Sequence, residues 1–263
     1  MPKAESASRA VNRLCDILNS FSEHERYHTL SEISRQIGLP KSTTHRFLEA
    51  LESQGLLYNE SGRGYRLGHQ LIYWGALAQA SIDLRNLAQP YLRTLAEETG
   101  ETAILSMRFG SAAAWVETIE SRHPVRLALR VGESLPLHAG ASSKVLWAFL
   151  PPEEIERLLA QVELTPLEKN TITAPDAMRQ ELAAIRERGY ATSFEETDRG
   201  AMGVAAPVYD HTGQLVAGIG IAAPITRVSP AHVPEIARQI FTAAGELSFR
   251  LGAPQQRQPA SAN

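Results

Sequence analysis

The chain has one cysteine, Cys15, in 263 residues. An intramolecular disulfide is therefore impossible, which suits a reducing cytoplasm. Cys15 falls in the periodic series Val11, Leu14, Cys15, Leu18 and is expected to be a small buried residue of a first helix. No uninterrupted apolar run approaches the about 18 residues of a membrane span. The amino terminus MPKAESASRA lacks the apolar core of a secretory signal. A Gly-rich phosphate loop and a Gly-x-Ser-x-Gly elbow are both missing, which removes two common enzyme signatures. Among eight histidines the one close pair is His24-x₃-His28, in an expected loop, where solvated side chains fit better than a metal site. Charge of one sign is missing too. The formal net charge is −3, so no global basic field advertises a polyanionic partner. Residues 1–68 hold nine Lys/Arg against eight Asp/Glu, and the remainder 17 against 21.

What is present is concentrated in residues 29–68, TLSEISRQIGLPKSTTHRFLEALESQGLLYNESGRGYRLG. A helix capped by Ser31 places Ile33 and Ile37 inward and ends at Gly38. Leu39-Pro40 makes a turn. A third helix runs from about Lys41 to Gln54, with Phe47, Leu48 and Leu51 inward. Leu56–Tyr58 and Tyr65–Leu67 alternate as strands joined by residues 59–64, a hairpin with a mobile tip. With a preceding helix over 8–20, capped by Ser6 or Ser8, this order describes a winged helix-turn-helix, whose second helix enters the DNA major groove.

Lys41, Ser42, Thr43, Thr44 and Arg46 open that helix with hydroxyls and cations, and no acid precedes Glu49. Such groups bond phosphates and base edges. Arg63 and Arg66 in the hairpin are placed to reach the backbone or minor groove. The competing reading is a three-helix packing module with a solvated polar face; the hairpin directly after the third helix favours DNA.

Residues 69–80 read as an Ala-rich helix, and Asp83 caps another that runs to about Glu98. Beyond Glu101 the pattern changes. Strands are expected at 103–109, 113–119, 125–129, 190–195, 203–209 and 214–222, and helices at 141–150, 152–161, 176–188 and 231–250. Asp210-His211-Thr212-Gly213 is the turn between the last two strands. Strands flanked by helices, with mostly hairpin connections, argue for an α+β sheet domain. The tail after Leu251, GAPQQRQPASAN, is polar and expected to be disordered.

The combination of AVNRLCDILNSF, LSEISRQIGLPKSTTHRFLEALESQGLL and YRLG with LPLHAGASSKVLWAFLP, IRERGYATSFEET and GVAAPVYDHTGQLVAGIGIAAPITR resembles the IclR (isocitrate lyase regulator) type of transcription factor over residues 8–251. The resemblance implies an α+β chain. A winged helix-turn-helix (1–68) is joined by linker helices (69–98) to a GAF-like effector domain (99–252), followed by the tail (253–263). It implies a dimer or tetramer that binds operator DNA and a small-molecule effector, often an organic or aromatic acid. No cofactor, metal or catalytic residue is expected.

Carried over by motif, the effector cleft falls on Leu127, Leu135, Ala141, Ser142, Ser193, Gly203, Gly220 and Ala222. Family members that hold small keto acids tend to have Cys or Ser where this chain has Gly203, Gly220 and Ala222. Their loss points to a roomier, less polar cleft and a bulkier, aromatic effector. The first amides of a helix from Ala141 would attract a carboxylate. His138 is a candidate donor to it, though a structural His on a turn is the plainer reading. Glu195 and Glu196 read as a solvated strand end.

Two other classes compete with this reading. An enzyme would need His138, Ser142, Ser143, Lys144 and Asp198 as a nucleophile set. However, Ser142-x-Lys144 has the wrong spacing, and Ser143 and Lys144 point about 100° apart on a helix. An architectural DNA-binding protein would have no use for the long second domain.

Overall fold

The computed structural model describes residues 2–22, 24–80 and 83–254; for residues 2–8 and 78–80 only the backbone is described. Contacts divide the chain into two units, Met1–Ile82 and Asp83–Asn263.

The first unit is built on three helices and a hairpin: α1 (Pro2–Leu18), α2 (Leu30–Gln36), α3 (Lys41–Ser53), β1 (Leu57–Glu60) and β2 (Gly64–Leu67), followed by α4 (Gln70–Ala80). Ile17, Ile33, Leu48, Leu51 and Leu57 close its core. Helix α1 starts earlier than the expected residue 8, so Ser6 and Ser8 are within it and cannot be its caps; their side chains lie outside the described residues. Cys15 is exposed, contrary to expectation. The inward stripe of α1 runs through Leu14, Ile17 and Leu18, leaving Val11 and Cys15 on the outer side. The cap of α2 is Thr29, not Ser31. The Thr29 hydroxyl accepts from the Glu32 amide, and the Glu32 carboxylate accepts from the Thr29 amide, a reciprocal pair that closes two orphan donors. His28 is not solvated. It is buried, with Nε2 2.9 Å from the Ser20 carbonyl, and it bridges to Tyr65.

The second unit holds α5 (Leu84–Thr99), β3 (Thr102–Phe109), β4 (Ala112–Ile119), β5 (Ser134–Pro136), α6 (Ala141–Ala148), α7 (Pro152–Gln161), α8 (Pro175–Arg188), β6 (Ala191–Phe194), β7 (Ala201–Tyr209), β8 (Leu215–Pro224) and α9 (Val233–Arg250). Asp83 caps α5 through the Arg85 and Asn86 amides, as its position predicts. The strands form one antiparallel sheet in the order β5-β4-β3-β8-β7-β6. Alternation sorts its two faces. Met202, Val204, Ala206, Val208, Ile219 and Ile221 pack with Leu92 of α5 and Ile240 of α9. On the other face Ala205 packs with α6 and α8, through Val145, Trp147 and Ile185. The sheet is thus covered on both sides, so β7 reads as a continuous apolar run.

Residues 125–129 are not a strand. Val125 lies in a bend and 126–130 have no regular structure, with Leu127 and Leu129 less exposed than Val125, Ala128 and Arg130. No ladder partner is found for it among the described residues. Its carbonyls instead receive side chains: Arg227 Nη1 donates to Val125 O (2.7 Å), Thr102 Oγ1 to Leu127 O (3.0 Å) and Thr118 Oγ1 to Leu129 O (3.4 Å). Arg227 is itself anchored, with two nitrogens on the Glu101 carboxylate at 2.6 Å each. The short strand β5, absent from the sequence reading, takes the edge place beside β4. Of the expected disordered tail, residues 255–263 lie outside the described residues, and Ala253 is buried.

Candidate functional site

In the first unit the exposed start of α3 carries Lys41, Ser42, Thr43 and Arg46. Thr44 belongs elsewhere. It is fully buried, and its hydroxyl donates to the Pro40 carbonyl at 3.1 Å, so it is a packing residue and not a groove contact. At 100° per residue, Thr44, Leu48 and Leu51 define the inner face, and Ser42, Arg46 and Glu49 stand opposite. The sequence reading assigned no role to His45 and Glu49, which the helical period puts beside and on the outer face.

The hairpin holds its cations in a cluster. Arg66 lies over the Tyr58 ring at 4.8 Å and Arg63 over the Tyr27 ring at 5.6 Å. Both guanidinium groups come within 3.5 Å of Glu60, which also accepts from the Tyr27 hydroxyl at 3.0 Å. The arginines are presented on aromatic faces with one shared counter-ion.

In the second unit a cavity of about 210 Å³ opens between β3, β7 and β8, the start of α6, the 125–130 segment and the turn after β6. The structure brings Leu127, Leu135, Ala141, Ser142, Ser193, Gly203, Gly220 and Ala222 together on its wall. Trp115, Ile104, Thr197 and Asp198 also line it and were not singled out as ligand residues from sequence. Nothing in the local pattern of β4 marks Trp115 as facing a cavity. Asp198, two residues beyond Glu196, had been weighed only as part of a nucleophile set.

His138 does not line the cavity. It is fully buried and Nε2 lies 2.8 Å from the Thr165 carbonyl, which makes it the structural His of the plainer reading. Gly220 does not enlarge the cavity either. A Cβ there would stand 2.1 Å from the Val204 carbonyl oxygen and 2.7 Å from Ala205 Cα, so glycine is required by the approach of β7. A Cβ at Gly203 meets Ala141 Cβ and the Ile221 carbonyl at 3.3 Å, a tight but accessible place.

Helix α6 begins at the cavity wall after Gly140, whose φ of 87° is one that L side chains rarely adopt. The first amides of a helix have no intrahelical acceptor. The Gly140 amide donates to Glu196 Oε2 at 3.0 Å, and Glu196 Oε1 accepts from Lys144 Nζ at 2.5 Å. Lys144 also donates to Glu181 at 3.2 Å. Glu196 is therefore a buried, paired group and not a solvated strand end. Burial pushes its carboxyl above the usual carboxylate range, against the opposing pull of Lys144. Among the described residues no Lys, Arg or His lines the cavity, so an anion there would meet amides and the hydroxyls of Ser142, Ser193 and Thr197, with the Asp198 carboxylate also on the wall.

A winged helix-turn-helix followed along the chain by a separate α+β unit points to a DNA-binding transcription regulator. The chain belongs to the IclR family: residues 10–61 match the IclR helix-turn-helix domain, and residues 76–249 match the "Bacterial transcriptional regulator IclR C-terminal" domain. It is 34% identical to the HTH-type transcriptional regulator KipR of Bacillus subtilis over 94% of this chain and 99% of that protein. Its fold is similar to that of the Agobacterium tumefaciens repressor BlcR (26% identity, TM-score 0.81, 94% and 98% of the two chains). It is also similar to an IclR homologue of Microbacterium hydrocarbonoxydans complexed with 4-hydroxybenzoate (26% identity, TM-score 0.58, 92% and 98%). The chain is a transcription regulator. Among the described residues no helix is long and apolar enough to cross a membrane.

Proposed function

We propose that this regulator binds operator DNA in the cytoplasm as a homodimer or homotetramer, and that a single-ring organic acid in the cavity of the second unit sets its DNA affinity. The observation that carries the reading is the cavity, walled mostly by apolar residues with three hydroxyls and the Asp198 carboxylate, and opening onto the start of α6. An apolar cavity of about 150 Å³ already accommodates benzene. The 210 Å³ found here suits one substituted ring better than a two- or three-carbon keto acid. The ligand in the Microbacterium hydrocarbonoxydans homologue, 4-hydroxybenzoate, has that size and charge.

DNA reading falls to Lys41, Ser42, Thr43 and Arg46 of α3, with Arg63 and Arg66 of the hairpin on the backbone. Association between copies is supported by α4, where Ile72 (76% exposed), Tyr73, Trp74 and Leu77 leave an apolar surface for a second chain to cover. Of the expected linker 69–98, α5 packs into the core of the second unit, which leaves α4 as the linker, and two copies of α3 enter major grooves about one turn apart. A ligand that favours one arrangement shifts the population and so the affinity for DNA.

The test is a melting-temperature screen of the purified chain with aromatic acids, dicarboxylates and small keto acids. An acid at 100 times its dissociation constant adds about 2.7 kcal/mol of stability. Stabilisation by aromatic acids supports the reading. Stabilisation by glyoxylate or pyruvate alone overturns the assignment of ligand size.

A further inference from the structure

Glu49 is the one carboxylate on the outer face of α3 with no structural duty. Its neighbour Glu52 accepts the Asn59 amide at 3.2 Å and so ties α3 to β1. Glu49 is 63% exposed, and its carboxylate lies 3.4 Å from the exposed His45 of the previous turn. Ser42, His45, Arg46 and Glu49 stand at i, i+3, i+4 and i+7, the spacing by which a recognition helix lays four side chains along a groove. A carboxylate on a surface that approaches phosphates is repelled, at a cost that grows as the groove excludes water. One kind of contact offsets that cost: an exocyclic amino group on a base edge, which donates and cannot be replaced by a carbonyl.

We propose that Glu49 is a specificity residue, accepting a hydrogen bond from the N4 amino group of a cytosine in each half-site. Arg46, one turn earlier on the same face, carries the neighbouring guanine-type contact. The proposal rests on α3 being the reading helix. Glu49 works mostly by exclusion: thymine and guanine present a carbonyl oxygen at the same place in the groove, and two acceptors face to face repel.

The experiment is selection by the full-length protein from a duplex library randomised over about 20 base pairs, two turns of DNA. It is repeated with Glu49→Gln, Glu49→Ala and Arg46→Ala. Wild type is expected to select cytosine at one position per half-site by about ten- to a hundredfold. Glu49→Gln should move that position towards adenine, since a carboxamide matches adenine N6 and N7. Glu49→Ala should accept any base there while keeping the rest of the motif. Unchanged motifs for both Glu49 variants, with uniformly tighter binding to every sequence, would overturn the proposal and leave Glu49 a solvated acid. If Arg46→Ala also changes neither motif nor affinity, α3 is not the reading helix and the premise itself fails, an outcome distinct from failure of Glu49 alone.

Discussion

Lys144 Nζ lies 2.5 Å from Glu196 Oε1, with 1% and 9% of the two side chains exposed. The pair fixes the turn after β6 to the first turn of α6, because the second oxygen of the same carboxylate holds the Gly140 amide. Removing one partner of such a pair leaves a buried charge without compensation. Lys144→Met is expected to cost about 3–5 kcal/mol in urea unfolding at neutral pH. The loss should depend on pH in a set direction. Without Lys144 the Glu196 carboxyl, already above the usual range, moves higher still. An acid whose folded pKa exceeds its unfolded value favours the folded state at low pH and loses that advantage as pH rises between the two values. The variant should therefore lie closest to wild type near pH 5 and fall away towards pH 8. A deficit constant across that range would mean that Glu196 does not take up the proton.

Arg46→Ala should weaken DNA binding by about 1–3 kcal/mol if it reads a base. Thr44→Val should leave the salt dependence of binding unchanged, because the Thr44 hydroxyl is spent on Pro40 and never reaches the groove. Titration of both variants at several salt concentrations separates a groove contact from a packing residue.

Glycine replacement should divide the cavity wall in two. Gly220→Ser drives a Cβ into the β7 backbone and is expected to unfold the second unit or to lower its melting temperature by well over 10 °C, as core overpacking of several kcal/mol does. Gly203→Ser should fold, shrink the cavity and add one hydroxyl. Thermal melting with and without an aromatic acid reads both effects.

Arg227→Ala should release the 125–130 segment from its anchor on Glu101. Hydrogen exchange is expected to rise at residues 125–130 while β3 and β8 keep their protection, since the segment has no ladder of its own. Equal exchange in the two proteins would show that Thr102 and Thr118 suffice.

The sequence marked the DNA-facing module closely because its signals are local. Pro40 before Lys41, Gly55 after the helix, and the Gly62/Gly64 hairpin each set a boundary without help from distant residues. Facing was harder. The alternation of residues 125–129 does report that Leu127 and Leu129 turn inward, but alternation records which side a residue presents and not whether a neighbouring strand pairs with it. Cys15 and Thr44 exchanged places with expectation for one reason: residue type suggests burial, whereas the helical phase around Ile17 and Leu48 decides it. The eight wall residues carried over by motif lie together, yet Trp115 and Asp198 did not stand out, because three remote segments converge there. Lys144 gave no sign of burial, since its two acidic partners are 37 and 52 residues away.

The segment over the cavity has a consequence for time. Its closure depends on three side-chain hydrogen bonds to carbonyls, each worth about 1 kcal/mol, and not on a sheet edge. On that count, lifting it costs about 3 kcal/mol, less than the about 5–15 kcal/mol that keeps a domain folded. On the proposed function, an acid in the cavity could then leave and be replaced many times within the lifetime of one folded chain. The occupancy of the cavity would follow the surrounding concentration from moment to moment, with no record kept of a signal that has passed.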